Sequence, residues 1–373
     1  MNAPCPTPPA RASAKKARRQ AQRAASLSAS IRQFLTPEVW KHARHAARAA
    51  GCRNDYRWAL QPLILTWAMM TWCAGQTDAE RFLTARTFYV RVHCPKRKRP
   101  GKHFGGFHKA LGRLPMTVWW ALGDAVRRPL ERTLADRRVV DGGTPFGCDG
   151  TRLECPRTQQ LEDDLGRAGK AGSAPMLWIT ALVSLRTGVL WSWRTGTAKV
   201  GERQHLLDLT EDLPRSPLAP VLLVCDAGSV GYELIRTLLG QGRSFLIRLS
   251  SQAQLYSDTG IEVARFHEGV FWYWTDKAEK GAKPPLRVRV IRVAGRKRKS
   301  DVWLVTDVLD ARRLSAASAG QLYRMRWESE CFFKTYKRVV KSVCLVSATT
   351  AMVAREAEGS LLACQLLLAQ GAL

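Results

Sequence analysis

The sequence lacks any regular cysteine framework and contains no Cys-x-x-Cys pair. Its 10 cysteines are irregularly spaced, and several lie in apolar stretches typical of buried strands and helices. A fold held together by disulfides is therefore not expected, and the simplest interpretation is a protein with reduced thiols in the cytoplasm. Cys148 and Cys155 have no histidine partners at metal-ligand spacing, which argues against a zinc site.

Histidine and long apolar runs are also scarce. The 7 histidines form no His-x3-His pair with a third carboxylate ligand, so none is predicted to be catalytic. The apolar run at residues 58–75 is long enough to suggest a membrane span. Gln61 and Pro62 near its start, and basic sequence on both sides, favour a buried helix instead. No secretory signal is predicted from the first residues, and no membrane partner is expected.

Acidic residues are rare in the first third of the chain. Residues 1–140 hold 27 Lys and Arg against 7 Asp and Glu, whereas the remainder holds 32 against 24. The net charge of +28 therefore resides mainly in the N-terminal part. Such a charge favours a polyanionic partner, and DNA binding that weakens steeply with salt is expected. Residues 1–30, rich in Ala, Arg and Lys, are predicted to form a disordered basic arm.

Residues 31–138 alternate apolar helical patterns with chain breakers, and we predict an all-helical DNA-binding domain there. The predicted helices are Phe34–Ala50, Arg57–Ala74, Thr77–Phe88, Phe107–Leu114 and Thr117–Leu134. Thr77 and Glu80 have the spacing of a capping box. The basic run Lys96–Lys102 is predicted to be a loop that contacts DNA, with a solvated loop as the alternative.

From residue 140 the apolar period changes to that of strands. Predicted strands are Pro145–Leu153, Pro175–Leu185, Gly188–Thr195, Val221–Cys225, Phe245–Leu249 and Val302–Val308. Predicted helices are Glu202–Leu213, Val230–Leu239 and Ser315–Val340. This order predicts an α/β fold with a ribonuclease-H-like mixed sheet and flanking helices over residues 139–250 and 301–345. Residues 251–300 form a β-rich insertion before the last helix, and residues 346–373 a short C-terminal helical tail.

The last long predicted helix carries several charged and polar side chains that could take part in catalysis or binding. Four of them are predicted within an arc of roughly 60° on an ideal helix: Tyr323, Arg326, Glu330 and Lys337. Lys334 lies close to the same stripe, whereas Trp327 is predicted to be a core aromatic. A carboxylate that can hold a metal, set between cations that can hold phosphates, is typical of phosphodiester chemistry on DNA.

Two upstream aspartates complete the pattern. Asp149 lies in the first predicted strand, and Asp226 follows the apolar run Val221–Cys225. Asp141 competes as the first carboxylate, but Asp-Gly-Gly is typical of a turn, so Asp149 is preferred. The spacing Tyr-x2-Arg-x3-Glu-x6-Lys, together with these aspartates, resembles the signature of DDE transposases of the insertion-sequence-four family. The resemblance covers roughly residues 140–350.

The resemblance implies a function and a set of site residues. Asp149, Asp226 and Glu330 would be the catalytic, metal-binding triad, with Mg²⁺ as cofactor and Mn²⁺ as substitute. Tyr323, Arg326 and Lys337 would bind transposon-end DNA. The enzyme would bind terminal inverted repeats, cleave the DNA and transfer the 3′-OH ends to target DNA in a cut-and-paste reaction. We expect a homodimer on double-stranded DNA, associated with a bacterial nucleoid.

Further DNA contacts are predicted from the residues themselves. They are Lys334, Arg248 at the end of its strand, and Trp272 and Trp274, which share one face of a strand and can stack on a base. Core packing is the favoured role of the two tryptophans. Two other functions stay open: a non-catalytic DNA-binding protein derived from a transposase, and a nuclease of the same fold without strand transfer.

Overall fold

A computed structural model describes most of the chain. The described residues are 31–52, 58–71, 73, 77–93, 99–167, 172–197, 202–214, 220–295, 300–339 and 345–373. The predicted arm at 1–30, the turn at 296–299 and residues 96–98 of the basic loop lie outside these ranges. The chain divides into two compact units, Met1–Leu130 with Glu358–Gln370 and Glu131–Ala357 with Gly371–Leu373.

The N-terminal part is helical, as predicted. Its helices are α1 (Pro37–Ala49), α2 (Leu60–Met70), α3 (Asp78–His93), α4 (Phe104–Gly112) and α5 (Met116–Leu134). The capping box is confirmed, because Thr77 and Glu80 each accept the other's backbone N–H at 3.3 Å. Helix α3 therefore begins where the sequence predicts.

The core of the first unit is aromatic. The Phe107 ring is fully buried and lies 4.9 Å from Trp58 and 4.8 Å from Phe82, centroid to centroid. Residues 63–70 of α2 are all buried, which confirms the predicted buried helix. In the part of the chain that the structure describes, no helix is long and apolar enough to cross a membrane.

The second unit is built on one nine-stranded mixed sheet. Its strands are β1 (Thr144–Glu154), β2 (Met176–Ser184), β3 (Val189–Gly196), β4 (Val221–Cys225), β5 (Ser244–Arg248), β6 (Leu255–Tyr256), β7 (Gly269–Tyr273), β8 (Leu286–Val293) and β9 (Val302–Thr306). Its helices are α6 (Gln159–Leu165), α7 (Glu202–Thr210), α8 (Tyr232–Gly240), α9 (Asp276–Lys280), α10 (Ala316–Arg324), α11 (Trp327–Lys334) and α12 (Thr350–Gly371), which continues into the first unit.

The strand order is β3-β2-β1-β4-β5-β9-β8-β7-β6. β1 to β3 form an antiparallel meander, while β4 and β5 run parallel to β1. This is the ribonuclease-H-like arrangement, so the predicted fold class is confirmed. The β-rich insertion contributes β6 to β8, and it continues the core sheet because β8 pairs with β9, which pairs with β5.

The predicted single helix over 315–340 is wrong. It is divided into α10 and α11, and a π-helical turn follows over Thr335–Val339. At the break, Arg326 N–H donates to Tyr323 C=O at 3.1 Å and Ser329 N–H to Arg326 C=O at 3.0 Å, which are tight i→i+3 bonds. The break lets each segment pack separately, α10 onto β4, β5 and β8, and α11 onto β1 and β2.

The main core of the second unit lies between α10 and the sheet. Leu322 and Ala319 of α10 pack with Val224, Leu246 and Leu304 of three adjacent strands. On the opposite face of the sheet, α7 packs against β2 and β3, and α8 packs against β5. Helices therefore flank both faces, and the carboxyl ends of β4 and β5 lie beside the middle of β1.

A buried histidine on α7 predicts loss of stability in mild acid. His205 Nδ1 lies 3.1 Å from Thr180 Oγ1, and burial lowers the pKa of His205 despite the nearby Asp208 charge. Because the folded state resists protonation, its stability should fall as pH drops below the unfolded-state value of about 6.5. We expect the free energy of unfolding of His205→Asn to change less than that of the wild type between pH 7 and 5.5. The free energies are measured by urea unfolding at each pH. An equal change with pH in the variant and the wild type would exclude this role of His205.

Candidate active site

The strand register lines up three charged residues at one edge of the sheet. β1 and β4 are parallel with Gly147 opposite Val224, so two residues further on Asp149 lies beside Asp226. β4 and β5 are parallel with Cys225 opposite Ile247, so the next position places Asp226 beside Arg248. Because neighbouring strands lie about 4.8 Å apart, these residues form a short row.

The row faces the side of the sheet that α10 and α11 cover. Val224 and Leu246 belong to the core under α10, and residues two positions apart along a strand share a face. Asp226 and Arg248 therefore face the same side. Gly147 lies against Ser329 of α11, so Asp149 also faces α11, which carries Glu330.

The three acids interact electrostatically. Burial raises the pKa of Asp149, and the negative charges of Asp226 and Glu330 raise it further. The Gly150 N–H, which donates to Asp149 Oδ1 at 2.9 Å, and the Arg326 guanidinium oppose this rise. The Asp149 carboxylate therefore lies near enough to Asp226, Glu330 and Arg326 for their charges to act on it, and these residues come from three separate segments.

Each of the other two acids is held by local donors. Asp226 begins a short 3₁₀ turn, and its Oδ1 accepts from Gly228 N–H at 3.0 Å and from the Ser229 hydroxyl at 3.4 Å. Glu330 Oε1 accepts from Arg326 Nη2 at 2.8 Å. Among the described residues, no three His, Cys, Asp or Glu side chains lie close enough together to hold a metal ion, so these acids are neighbours that do not yet form a ligand set.

Arg326 is the counter-ion of this acidic cluster. Its side chain is 16% exposed, its Cζ lies 5.8 Å from the Tyr323 ring centroid, and its Nε is buried without a hydrogen-bond partner in the described structure. Burial alone would lower the pKa of Arg326, but the bond to Glu330 and the charges of Tyr323, Glu330 and Asp226 raise it overall. Tyr323, Arg326 and Glu330 are thus brought together.

Two lysines predicted on the same stripe are placed differently. Lys334 is exposed on α11, whereas Lys337 is half-buried in the π-helical turn, where burial lowers its pKa. A helical wheel of constant pitch does not apply across this turn. The prediction that Trp327 is a core residue is wrong, since its side chain is 62% exposed at the break before α11.

The two insertion tryptophans are half-buried and already have local contacts. Trp272 lies beneath the Arg287 guanidinium, 5.5 Å from Cζ to the ring centroid. The Trp274 indole N–H donates to Lys283 C=O at 2.8 Å, and its ring packs against Tyr256. Their stacking on DNA bases stays a prediction.

The competing acid Asp141 lies in a turn. Val140 and Gly143 exchange backbone hydrogen bonds of 2.8 and 2.9 Å, and Asp141 adopts a positive φ of 49°. This turn precedes β1, at the edge of the sheet opposite the acid row. The preference for Asp149 over Asp141 is consistent with this placement.

Sequence reasoning missed Gly147 and Ser329, the pair at which α11 meets β1. The available signal was a glycine inside a strand, which commonly marks a close approach by another element. Ser329 carried no comparable signal, because a serine in a helix ordinarily faces solvent.

The region that contains these acids is similar to a known protein family. The family described as Transposase DDE domain matches residues 147–346, more than half of the chain. The chain belongs to this transposase family. The match contains all three acids of the cluster. The finer assignment to the insertion-sequence-four group stays a prediction.

One solved structure similar to this transposase-family chain is the piggyBac transposase synaptic complex with hairpin DNA. The TM-score is 0.47 at 10% sequence identity, over 92% of this chain and 74% of that one. No curated protein sequence matches the chain.

Proposed function

We propose that this transposase-family protein binds the terminal inverted repeats of its element, cleaves the DNA there and joins the 3′-OH ends to target DNA. The proposal is supported by the position of Asp149 beside the end of β4, where Asp226 follows, and by the nearby charges of Glu330 and Arg326. The family match supports the reaction class. The same in-line attack of oxygen on phosphorus serves both steps, first with water and then with the freed 3′-OH.

The donor set suits a hard divalent cation. Carboxylate oxygens are the ligands that Mg²⁺ prefers. Burial, and to a lesser extent repulsion from Asp226 and Glu330, raises the pKa of Asp149, and a bound cation would offset both effects. Asp149, Asp226 and Glu330 would hold Mg²⁺, or Mn²⁺ in its place, once Glu330 releases Arg326. The bound metal would activate the attacking oxygen and neutralise charge on the leaving one.

The cations near the acids would hold the DNA backbone. Arg326, freed from Glu330, would donate to phosphate oxygens with its planar guanidinium. The Tyr323 hydroxyl and Lys337 would add further backbone contacts, with Lys334 and Arg248 at the rim. Trp272 and Trp274 would stack on a displaced base.

The N-terminal helices would supply additional DNA affinity. Lys41, Arg44 and Arg48 are exposed along one side of α1, whose buried face carries Val39, Trp40 and Ala43. This spacing of basic residues places a positive stripe on the outer surface of residues 31–138, the proposed DNA-binding domain. Two copies of the chain would pair the two ends of the element.

A cleavage assay tests the proposal directly. Sequencing the genomic flanks should reveal matching inverted repeats bordered by short direct duplications, and duplexes of those repeats are the substrate. With Mg²⁺ and a supercoiled target we expect nicked ends and then joined products. Hydrolysis without joining would instead identify a nuclease, and salt-sensitive binding without cleavage would identify a non-catalytic DNA-binding protein.

Arg326 and Lys337 should contribute to end binding through phosphates. Arg326→Ala and Lys337→Ala are each expected to weaken binding of the end duplex and to lower the slope of log K against log [salt] by about 1. Arg312→Ala is the matched control, because its side chain is 94% exposed and lies near the Asp141 turn rather than the acid row. An unchanged slope in either test variant removes that residue from the phosphate contacts.

A further inference from the structure

Helix α11 lies unusually close to β1 at one point. A Cβ atom built on Gly147 would overlap Ser329 Oγ and would lie 2.6 Å from Leu185 Cδ2. Ordinary van der Waals contact for a Cβ begins near 3.4 Å. The close approach therefore requires a residue without a side chain at position 147, which explains a glycine in the middle of a buried strand.

The helix side of this contact is equally specific. Ser329 is fully buried, and its hydroxyl has no hydrogen-bond partner in the described structure. A buried hydroxyl without a partner is destabilising, so hydrogen bonding does not account for Ser329. The small size of Ser329 accounts for its presence, because Phe332 and Phe333 on the same helix are also buried and set the distance between α11 and the sheet.

Both residues of the contact are close in sequence to an acid of the site. Gly147 is two residues before Asp149 on the same face of β1, and Ser329 immediately precedes Glu330. The break after α10 separates α11 from the preceding helix, so the height of α11 above the sheet depends on its own contacts. The spacing between the Asp149 and Glu330 carboxylates therefore follows from how closely residues 147 and 329 approach.

We propose that the Gly147–Ser329 contact is a positioning device that sets the separation of the Asp149 and Glu330 carboxylates for divalent-metal binding. Neither residue touches the metal or DNA in this account. The inference rests on the proposed function, because that function gives the metal its role. The predicted effect of the contact is on metal affinity, which can be measured without the reaction. A displacement of about 1 Å in a catalytic group can reduce a rate about 100-fold.

Mn²⁺ titration of the full chain, with free Mn²⁺ followed by electron paramagnetic resonance, tests the proposal. Gly147→Ala is expected to weaken Mn²⁺ binding about 10-fold or more, in the range seen when groups supporting metal ligands are changed. Ser329→Ala removes the unpaired hydroxyl but leaves the buried Phe332 and Phe333 to hold the height of α11, so this variant should bind Mn²⁺ like the wild type. The double variant Gly147→Ala/Ser329→Ala should recover part of the lost affinity, because the overlapping Oγ is gone.

Gly143→Ala is the matched control for the loss of a glycine. It precedes β1, and its added methyl group would meet only backbone oxygens at 3.6 and 3.7 Å. Wild-type Mn²⁺ affinity in Gly147→Ala, or an equal loss in the Gly143 control, would overturn the proposal. If Gly147→Ala does not fold by circular dichroism, Ser329→Thr approaches β1 from the helix side, and undiminished affinity there would overturn it.

The outcome is separable from that of the proposed function. If the wild type binds Mn²⁺ through the three acids but cleaves no DNA, the proposed reaction fails, while the pattern of affinities still decides the positioning role. If the wild type cleaves and Gly147→Ala cleaves and binds Mn²⁺ equally well, the reaction stands and the positioning role fails.

Discussion

Asp149→Asn is expected to abolish Mg²⁺-dependent cleavage of end DNA, with a rate loss of at least about 10³-fold, equivalent to roughly 4 kcal/mol of barrier. Asp226→Asn and Glu330→Gln should have the same effect. Each change keeps the side-chain volume but removes an anionic oxygen that would hold the cation. Binding of the end duplex should change little, since the proposal assigns these acids to the metal and the phosphate contacts to cationic side chains.

The matched control for the helix position is Glu328→Gln. Glu328 lies two residues before Glu330 on the same helix, is exposed and is directed toward Gly188 rather than the acid cluster. Cleavage and gel-shift assays on the same preparations separate catalysis from binding. Retained cleavage in any of the three acid variants removes that residue from the triad, and loss of binding in all three would count against a metal role.

Gly359→Ala is expected to produce the largest loss of stability of any single methyl group in the first unit. The added carbon would overlap Cδ1 and Nε1 of the Trp67 indole, and Trp67 is buried with its ring 6.0 Å from that of Phe107. The indole therefore has little room to move. Overpacking of this kind costs about 1–3 kcal/mol, more than the gain of up to about 1 kcal/mol from replacing a helical glycine by alanine.

Gly371→Ala is the control in the same helix, because no atom lies within 4 Å of its added methyl group. Urea unfolding followed by tryptophan fluorescence should show a lower midpoint for Gly359→Ala and little change for Gly371→Ala. Equal midpoints for the two variants would mean that α12 does not approach α2 as closely as described.

Strand positions were largely accessible from the sequence because apolar alternation and turn residues agree there. The predicted strand Val221–Cys225 is observed without change, and β1, predicted at Pro145–Leu153, extends by one residue at each end. The order of elements then fixed the fold class, and a parallel register brought Asp149 beside Asp226. Local pattern and tertiary structure are consistent in this part of the chain.

The region around Glu330 was less predictable. A continuous helix was expected. Neither the break near Met325 nor the π-helical turn contains a proline or glycine, the residues that would have predicted an interruption. Both arise from packing, since Leu322 and Ser329 contact different parts of the sheet. The placement of Lys337 and the exposure of Trp327 follow from these interruptions and could not be obtained from a wheel of constant pitch.

The sequence also did not predict which part of the chain residues 358–370 pack with. The sequence suggested a short helical tail, whereas these residues group with the N-terminal helices. A helix that is apolar on most sides signals burial, but its pattern does not say which part of the chain buries it. The domain boundaries drawn from the sequence therefore remain predictions.

The most direct test of the account is a crystal structure of the protein with its end duplex and Mn²⁺, with data collected at the manganese absorption edge. We predict an anomalous peak about 2–2.5 Å from carboxylate oxygens of Asp149 and Asp226, with Glu330 turned from Arg326 toward the ion and Arg326 on a phosphate. A saturated complex with no peak between these acids, or with the ion held by other residues, would contradict the account.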